Sequence, residues 1–304
     1  MIRLLSERPR LAALLGATCI AFSGIFYRYA DVSPSTATVF RCLYGLPLLA
    51  AVAWWEHRRH GSLPWSTIRL SMVAGLFFAG DLTFWHHAIE AVGAGLSTVL
   101  GNLQVLVVGI VAWLLFGERP SRAVVVALPI VLVGVVLISG LVGADAYGSN
   151  PALGVVLGMA TAICYAGYLL VIRQGGRDRR RTAGPVAIST FSTAVAAILI
   201  GVPMGDLDLM PTWPAHGWLA VYGLTSQSLG YLLISLSLPR LPAVLVSIIL
   251  LAQPVMTVGL AMVLLGESPS IAQLAGVALV VGGIAIATVP IERLRRILEP
   301  AGTP

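Results

Sequence analysis

Charge is the scarcest property of this sequence. Only 11% of its 304 residues are charged while 58% are hydrophobic, too little charge to solvate the surface of a water-soluble chain of this length. An integral membrane protein follows. Lysine is missing altogether, since all 19 basic residues are arginine. These arginines lie at the ends of apolar runs rather than in one stripe, so the net charge of +6 does not read as a nucleic-acid surface. Cysteine is nearly absent: Cys19, Cys42 and Cys164 each fall inside an apolar run without CxxC spacing, which gives neither a disulfide framework nor a zinc site. HExxH, GxSxG and P-loop patterns are lacking too. The sequence therefore offers no zinc-protease or serine-hydrolase site and no nucleotide motor, and no cofactor or metal is expected.

What the chain does have is apolar runs of roughly 20 residues, the length a helix needs to cross about 30 Å of hydrocarbon. Barrel strands would be shorter and would alternate. The pattern predicts an all-α membrane protein with ten transmembrane helices at about 11–30, 35–55, 67–89, 93–115, 122–142, 152–173, 185–204, 216–237, 242–264 and 270–289. Arg3, Arg8 and Arg10 precede the first run as they would in a signal peptide. That run is too long for a signal and lacks a clear cleavage site, so it is expected to be the first helix.

One turn occurs twice. Gly117-Glu118-Arg119-Pro120-Ser121 returns 149 positions later as Gly266-Glu267-Ser268-Pro269-Ser270, and around it Gln104 matches Gln253, Ala112 matches Ala261 and Gly134 matches Gly283. The chain divides into a five-helix repeat over 1–142, a second over 152–289, and a tail over 290–304. Counting arginines on alternate sides places seventeen of nineteen on one face, which the positive-inside rule makes cytoplasmic, with both termini there. An odd number of helices per repeat then puts the two turns on opposite faces, so the expected architecture is two inverted five-helix repeats. Glu118 and Glu267 cannot share a site and are expected to hold their own turns by accepting N–H bonds at the start of the following helix.

With these features the chain resembles the drug/metabolite transporter superfamily, in the ten-helix group with two EamA domains. The paired turns, each following a long span, and Phe40-Arg41 early in the second helix carry the resemblance. It implies a bacterial inner-membrane carrier of small metabolites, often an exporter, with the two inverted five-helix repeats arranged around a central cavity. One position departs from the pattern: the residue twelve before the turn's glycine, usually proline, is Pro254 in the second repeat but Val105 in the first, so a kink is expected only in the second.

Ionisable groups inside a membrane cost about 2.5 to 3.5 kcal/mol each at a helix centre, which makes each a functional candidate. The third helix holds Asp81, Trp85, His86 and His87. Asp81 lies nine residues before Glu90, about 13 Å from that end, and Arg41 lies seven residues after Pro34, about 10 Å in, at nearly the same depth. Two readings are open: the pair neutralise each other as an anchor, or they meet a charged substrate, with Asp81 also the candidate site of proton coupling. At most one of His86 and His87 shares the cavity. Gln104 and Gln253 stand near the midplane at equivalent positions, while Gln227 and Tyr231 share a face of the eighth helix and Tyr165 lies mid-span in the sixth.

The expected function is secondary transport of small organic metabolites, best matched by amino acids or related amphipathic compounds, by export or exchange through alternating access. A passive channel or an intramembrane enzyme is the alternative. Expected partners are the small-molecule substrate, the lipid bilayer and protons as a candidate coupling ion, with no nucleic acid, in a monomer or homodimer.

Overall fold

The computed structural model describes residues 8–116, 122–140, 145–175, 181–237, 249–250 and 252–288, and among these every regular element is helical. Helices start where proline can sit without wasting an N–H: Pro9 opens α1 (Pro9–Ala21), Pro34 opens α3 (Pro34–His60) and Pro151 opens α8 (Pro151–Gly175). A break at Phe22 separates α1 from α2 (Ser23–Ala30), which together make one crossing. The first repeat continues with α4 (Trp65–Val92), α5 (Ala94–Gly101), α6 (Gln104–Phe116) and α7 (Arg122–Ile138). In the second repeat, α8 is followed by α9 (Ala183–Met204), α10 (Trp213–Tyr222), a π-helical segment (Gly223–Gly230), α11 (Tyr231–Ser237), α12 (Ala252–Leu264) and α13 (Ile271–Thr288). Joining α5 to α6, and α10 to α11 through the π segment, gives ten segments among the described residues that match the ten apolar runs, five of them long and apolar enough to cross a membrane as they stand.

Hydrogen bonds sort the connections into two ends. At one end the Ser33 hydroxyl donates to the Asp206 carbonyl, the Ser35 N–H donates to the Asp206 carboxylate at 3.2 Å, and the Tyr27 hydroxyl donates to Glu90 at 2.8 Å. The Asn150 N–H reaches the Ala91 carbonyl at 3.0 Å at that same end. At the other end, Arg181 donates to the carbonyls of Gly61 and Ser62, and the amides of residues 182–184 donate to Glu56. Since α2 finishes at the Glu90 end and α8 begins there, the two repeats run through the membrane with opposite sense.

The repeats interlock rather than sit side by side. The α4 helix packs along α8 and α9, and α3 along α9 and the π segment. Inversion is visible residue by residue where α7 crosses α13. A side chain added at Gly134 would meet the Gly276 carbonyl at 2.8 Å, and one at Gly283, the repeat equivalent of Gly134, would meet the carbonyl of Ala127, the equivalent of Gly276, at 3.4 Å.

Two local expectations change. The first repeat is interrupted without proline: Asn102 and Leu103 form a tight turn between α5 and α6, with the Leu103 N–H on the Leu100 carbonyl at 3.0 Å and the Asn102 side chain on the Thr98 carbonyl at 2.8 Å. A side-chain amide competing for a helix carbonyl can break the ladder as proline does. Glu267 caps a helix, but not the one that follows it. Its carboxylate accepts the N–H groups of Ala94 at 2.5 Å and Gly95 at 3.1 Å, at the start of α5 in the other repeat. Burial raises this carboxyl above the usual glutamate range, and the two amide bonds oppose the rise. The matching turn at 117–121 with Glu118 lies outside the described residues. So do the tail over 290–304 and the arginines Arg3, Arg177, Arg179, Arg180, Arg240, Arg293, Arg295 and Arg296.

Candidate functional site

A buried guanidinium organises the centre of the protein. Arg41 on α3 is 2% exposed and donates from Nε to Oε1 of Gln227 at 2.8 Å and from Nη1 to the hydroxyl of Tyr222 at 2.7 Å. The Gln227 amide nitrogen donates onward to the Thr190 hydroxyl on α9 at 2.9 Å. Tyr222 also meets Nε2 of His86 at 3.1 Å, and Nδ1 of His86 meets the Thr38 hydroxyl at 2.9 Å. Proton bookkeeping orders this chain. Thr38 lies 2.9 Å from the Pro34 carbonyl, to which it can give its proton, and a neutral His86 then donates from Nδ1 to Thr38 and accepts at Nε2 from Tyr222. In that arrangement the Tyr222 oxygen is free to accept from Arg41.

Backbone type places two of these groups together. Tyr222 and Gln227 are five residues apart, about 140° around an α-helix, but one i→i+5 turn in a π-helix brings them to a common face. The π segment has room to sit close to α3 because both surfaces are glycine. A side chain at Gly223 would strike the Arg41 carbonyl at 2.7 Å, and one at Gly45 would strike Gln227 at 2.9 Å. The Ser228 hydroxyl fastens the contact by donating to the Gly45 carbonyl at 2.7 Å.

An aromatic wall adjoins the cation. The Phe78 ring lies 5.7 Å from Arg41 Cζ and stacks on Tyr168 at 4.7 Å, with Tyr231 edge-on at 5.4 Å and Tyr165 at 6.3 Å. The Tyr222 ring also lies near the guanidinium, with Arg41 Cζ 4.7 Å from its centroid.

Asp81 stands apart from this satisfied network. It is 7% exposed and lies within electrostatic reach of Arg41, yet the two make no contact within 4.0 Å. Its carboxylate accepts no hydrogen bond among the described residues; only its backbone carbonyl is used, by Thr161 at 3.4 Å. Arg41 likewise keeps three N–H donors without an acceptor among those residues.

Of the residues singled out in the sequence, hydrogen bonds join Arg41, His86 and Gln227. Tyr165 and Tyr231 form part of the aromatic wall, and Trp85 lies against His86 with ring centroids 5.2 Å apart. His86 is fully buried, whereas His87 points toward Glu90 at 3.9 Å near the membrane surface. Gln104 and Gln253 are not hydrogen-bonded to the cluster among the described residues. Gln104 sits on α6 beside α8 with its Oε1 buried and unpartnered, and Gln253 sits on α12, which packs on α1 and α5. Sequence reasoning missed Tyr222, Thr38, Thr190 and Phe78. Thr38 and Phe78 each precede a charged residue by three positions and so share its helix face, a signal that was available.

A groove of about 480 Å³ lies on the outer surface, lined by Phe22, Met256, Gly259, Leu260, Val263 and Leu264.

Comparison with known proteins agrees with this architecture. An "Uncharacterized transporter YxxF" of Bacillus subtilis (strain 168) is 22% identical over 271 residues, covering 88% of this chain and 85% of its own length. One solved crystal structure aligns over 97% of this chain and 99% of its own at 22% identity, with a TM-score of 0.65, and so shares the fold. The EamA-like transporter family matches twice in tandem, over residues 9–140 and 152–289, and the chain belongs to that family of membrane transporters.

Proposed function

We propose that this protein is a secondary transporter of small zwitterionic metabolites, with amino acids as the reference class, working by alternating access around Arg41 and Asp81. The observation that carries this reading is the mismatch at the centre: among the described residues, a buried cation has three spare donors beside a buried carboxylate with none of its acceptor capacity used. Two opposite charges held at one depth without closing on each other leave complementary work for a ligand. A substrate carboxylate accepts from Arg41, its ammonium donates to Asp81, and the Phe78, Tyr165, Tyr168 and Tyr231 rings contact its side chain. Asp81, with no donor fixed on it, is also the group free to take and release a proton in each cycle.

The arginine distribution supports cytoplasmic termini in a bacterial inner membrane: Arg58, Arg59, Arg69 and Arg181 gather at one end, whereas Arg28 lies at the other. Residues 1–142 and 152–289 act as the two inverted repeats, followed by a tail, and export or exchange is the direction proposed. Counterflow in proteoliposomes tests the reading. Vesicles loaded with an unlabelled amino acid are expected to accumulate external label transiently, which a passive channel cannot do. Arg41→Gln is expected to raise the half-saturating concentration about 10- to 100-fold, the worth of a charge-assisted hydrogen bond. Counterflow of neutral sugars alone, or wild-type kinetics in Arg41→Gln, rejects the site.

A further inference from the structure

The hairpin between α3 and α4 carries a pattern that transport does not use. Trp54 and Arg58, Trp55 and Arg59, and Trp65 and Arg69 are all tryptophan–arginine pairs four residues apart on a helix. In the first two pairs the guanidinium lies over the indole, at 5.1 Å for Arg58 on Trp54 and 4.4 Å for Arg59 on Trp55. All three indoles face outward, at 61%, 49% and 67% exposure, so none of them is a core residue.

Their depth is set by helix length. Twenty residues of α3 counted from Pro34 span about 30 Å and end at Ala53, so Trp54 and Trp55 fall at the hydrocarbon boundary. Arg58 and Arg59 stand one turn further out, at headgroup level. The α4 helix, counted back from Val92, places Trp65 and Arg69 beyond the same boundary. Among the described residues no carboxylate cancels the charge there. Glu56, the single acidic residue between Trp54 and Arg69, is 6% exposed and turned inward onto the amides of Ala183 and Gly184. Among the described residues, neither Arg58 nor Arg59 has a carboxylate partner.

The hairpin is also fixed. Glu56 ties the end of α3 to α9, and Arg181 donates to the Gly61 and Ser62 carbonyls at 3.2 and 2.5 Å, so the loop between the arginines is clamped from the other repeat. A rigid row of guanidiniums over indoles, with its carboxylate withdrawn, matches a phosphodiester whose acyl chains lie in the bilayer below. We propose that this face is a binding site for the headgroup of an anionic phospholipid, with Arg58 and Arg59 on the phosphate and Trp54 and Trp55 on the glycerol and upper acyl region.

Native mass spectrometry of the full-length protein, released from vesicles of equal phosphatidylglycerol and phosphatidylcholine, tests this directly. Retained phosphatidylglycerol is expected to exceed phosphatidylcholine, and Arg58→Gln with Arg59→Gln is expected to lower the preference about fivefold per arginine removed. Arg28→Gln, at the opposite end, is expected to leave it unchanged. Trp54→Leu with Trp55→Leu keeps the charge and is expected to shorten lipid retention while preserving the preference. Equal retention of both lipids, a double arginine variant that keeps the preference, or displacement of the lipid by millimolar inorganic phosphate overturns the assignment, the last by marking a plain anion site.

Discussion

Glu56 and Asp81 are both buried carboxylates on neighbouring helices, and they are treated in opposite ways. Glu56 accepts the N–H groups of Thr182, Ala183 and Gly184 at 3.0 to 3.1 Å, so the first turn of α9 surrounds it with donors. Asp81, similarly buried, accepts none among the described residues. Removing a charge from water is costly, and a folded chain recovers that cost only by saturating the group with hydrogen bonds. Glu56 follows this rule, as Glu267 does at the opposite end of the molecule on the amides of α5. Each of these two carboxylates belongs to one repeat and caps a helix of the other, so they serve as cross-repeat ties. Among the described residues Asp81 departs from this rule in the middle of the bundle, as the binding role proposed for it requires, since that role keeps its acceptors for a ligand.

The sharpest test of this contrast is at Glu56. Glu56→Ala removes the acceptor for three consecutive amides and leaves them buried, a loss of about 3 kcal/mol when a cap and an orphaned donor are counted together. A clear drop in melting temperature in detergent is expected, with partial recovery in Glu56→Gln, whose carbonyl still accepts. An unchanged melting temperature in Glu56→Ala would sink the assignment of Glu56 as a tie.

Glu267 is expected to show a smaller effect with a pH signature. Two amides rather than three depend on it, so Glu267→Ala is expected to cost about 1 to 2 kcal/mol. Its carboxyl titrates above the usual glutamate range because burial outweighs the amide bonds. A group whose folded value is raised stabilises the fold below its unfolded value, and that contribution fades as pH rises through the folded one. The wild-type melting temperature is therefore expected to fall slightly as pH climbs from about 4.5, and Glu267→Gln is expected to flatten the slope. An identical slope in both proteins would assign the titration to another group.

These ties were not legible in the sequence, whereas the spans were. A crossing needs only a run of apolar residues, which is local information. A cap between Glu56 and Ala183 joins residues 127 positions apart, and nothing near Glu56 announces its partner. Glu267 misled for the same reason, because a Glu before a helix start reads as a local cap until the other repeat arrives. Arg41, His86 and Gln227 were legible because polar groups stand out against hydrocarbon. Tyr222 was not, because it joins Gln227 only through the π segment, and an α-helical period separates the two. The polar run Thr225-Ser226-Gln227-Ser228, set between Gly223 and Gly230 inside an apolar span, was the available hint of irregular backbone.

Asp81 should give the smallest change in stability and the most informative one in transport. With no hydrogen bond to lose among the described residues, Asp81→Asn removes a buried charge at little structural expense. Its melting temperature is expected to match wild type within the equivalent of about 0.5 kcal/mol. Proton-driven accumulation in proteoliposomes with an imposed pH gradient is expected to disappear, because an amide cannot cycle a proton, while counterflow without a gradient survives at reduced affinity. A melting temperature that falls as far as in Glu56→Ala would show that Asp81 is a third structural tie, bonded in solution to a partner on a neighbouring helix. Intact proton dependence together with unchanged stability would move the coupling site elsewhere and leave Asp81 as a group for the substrate alone.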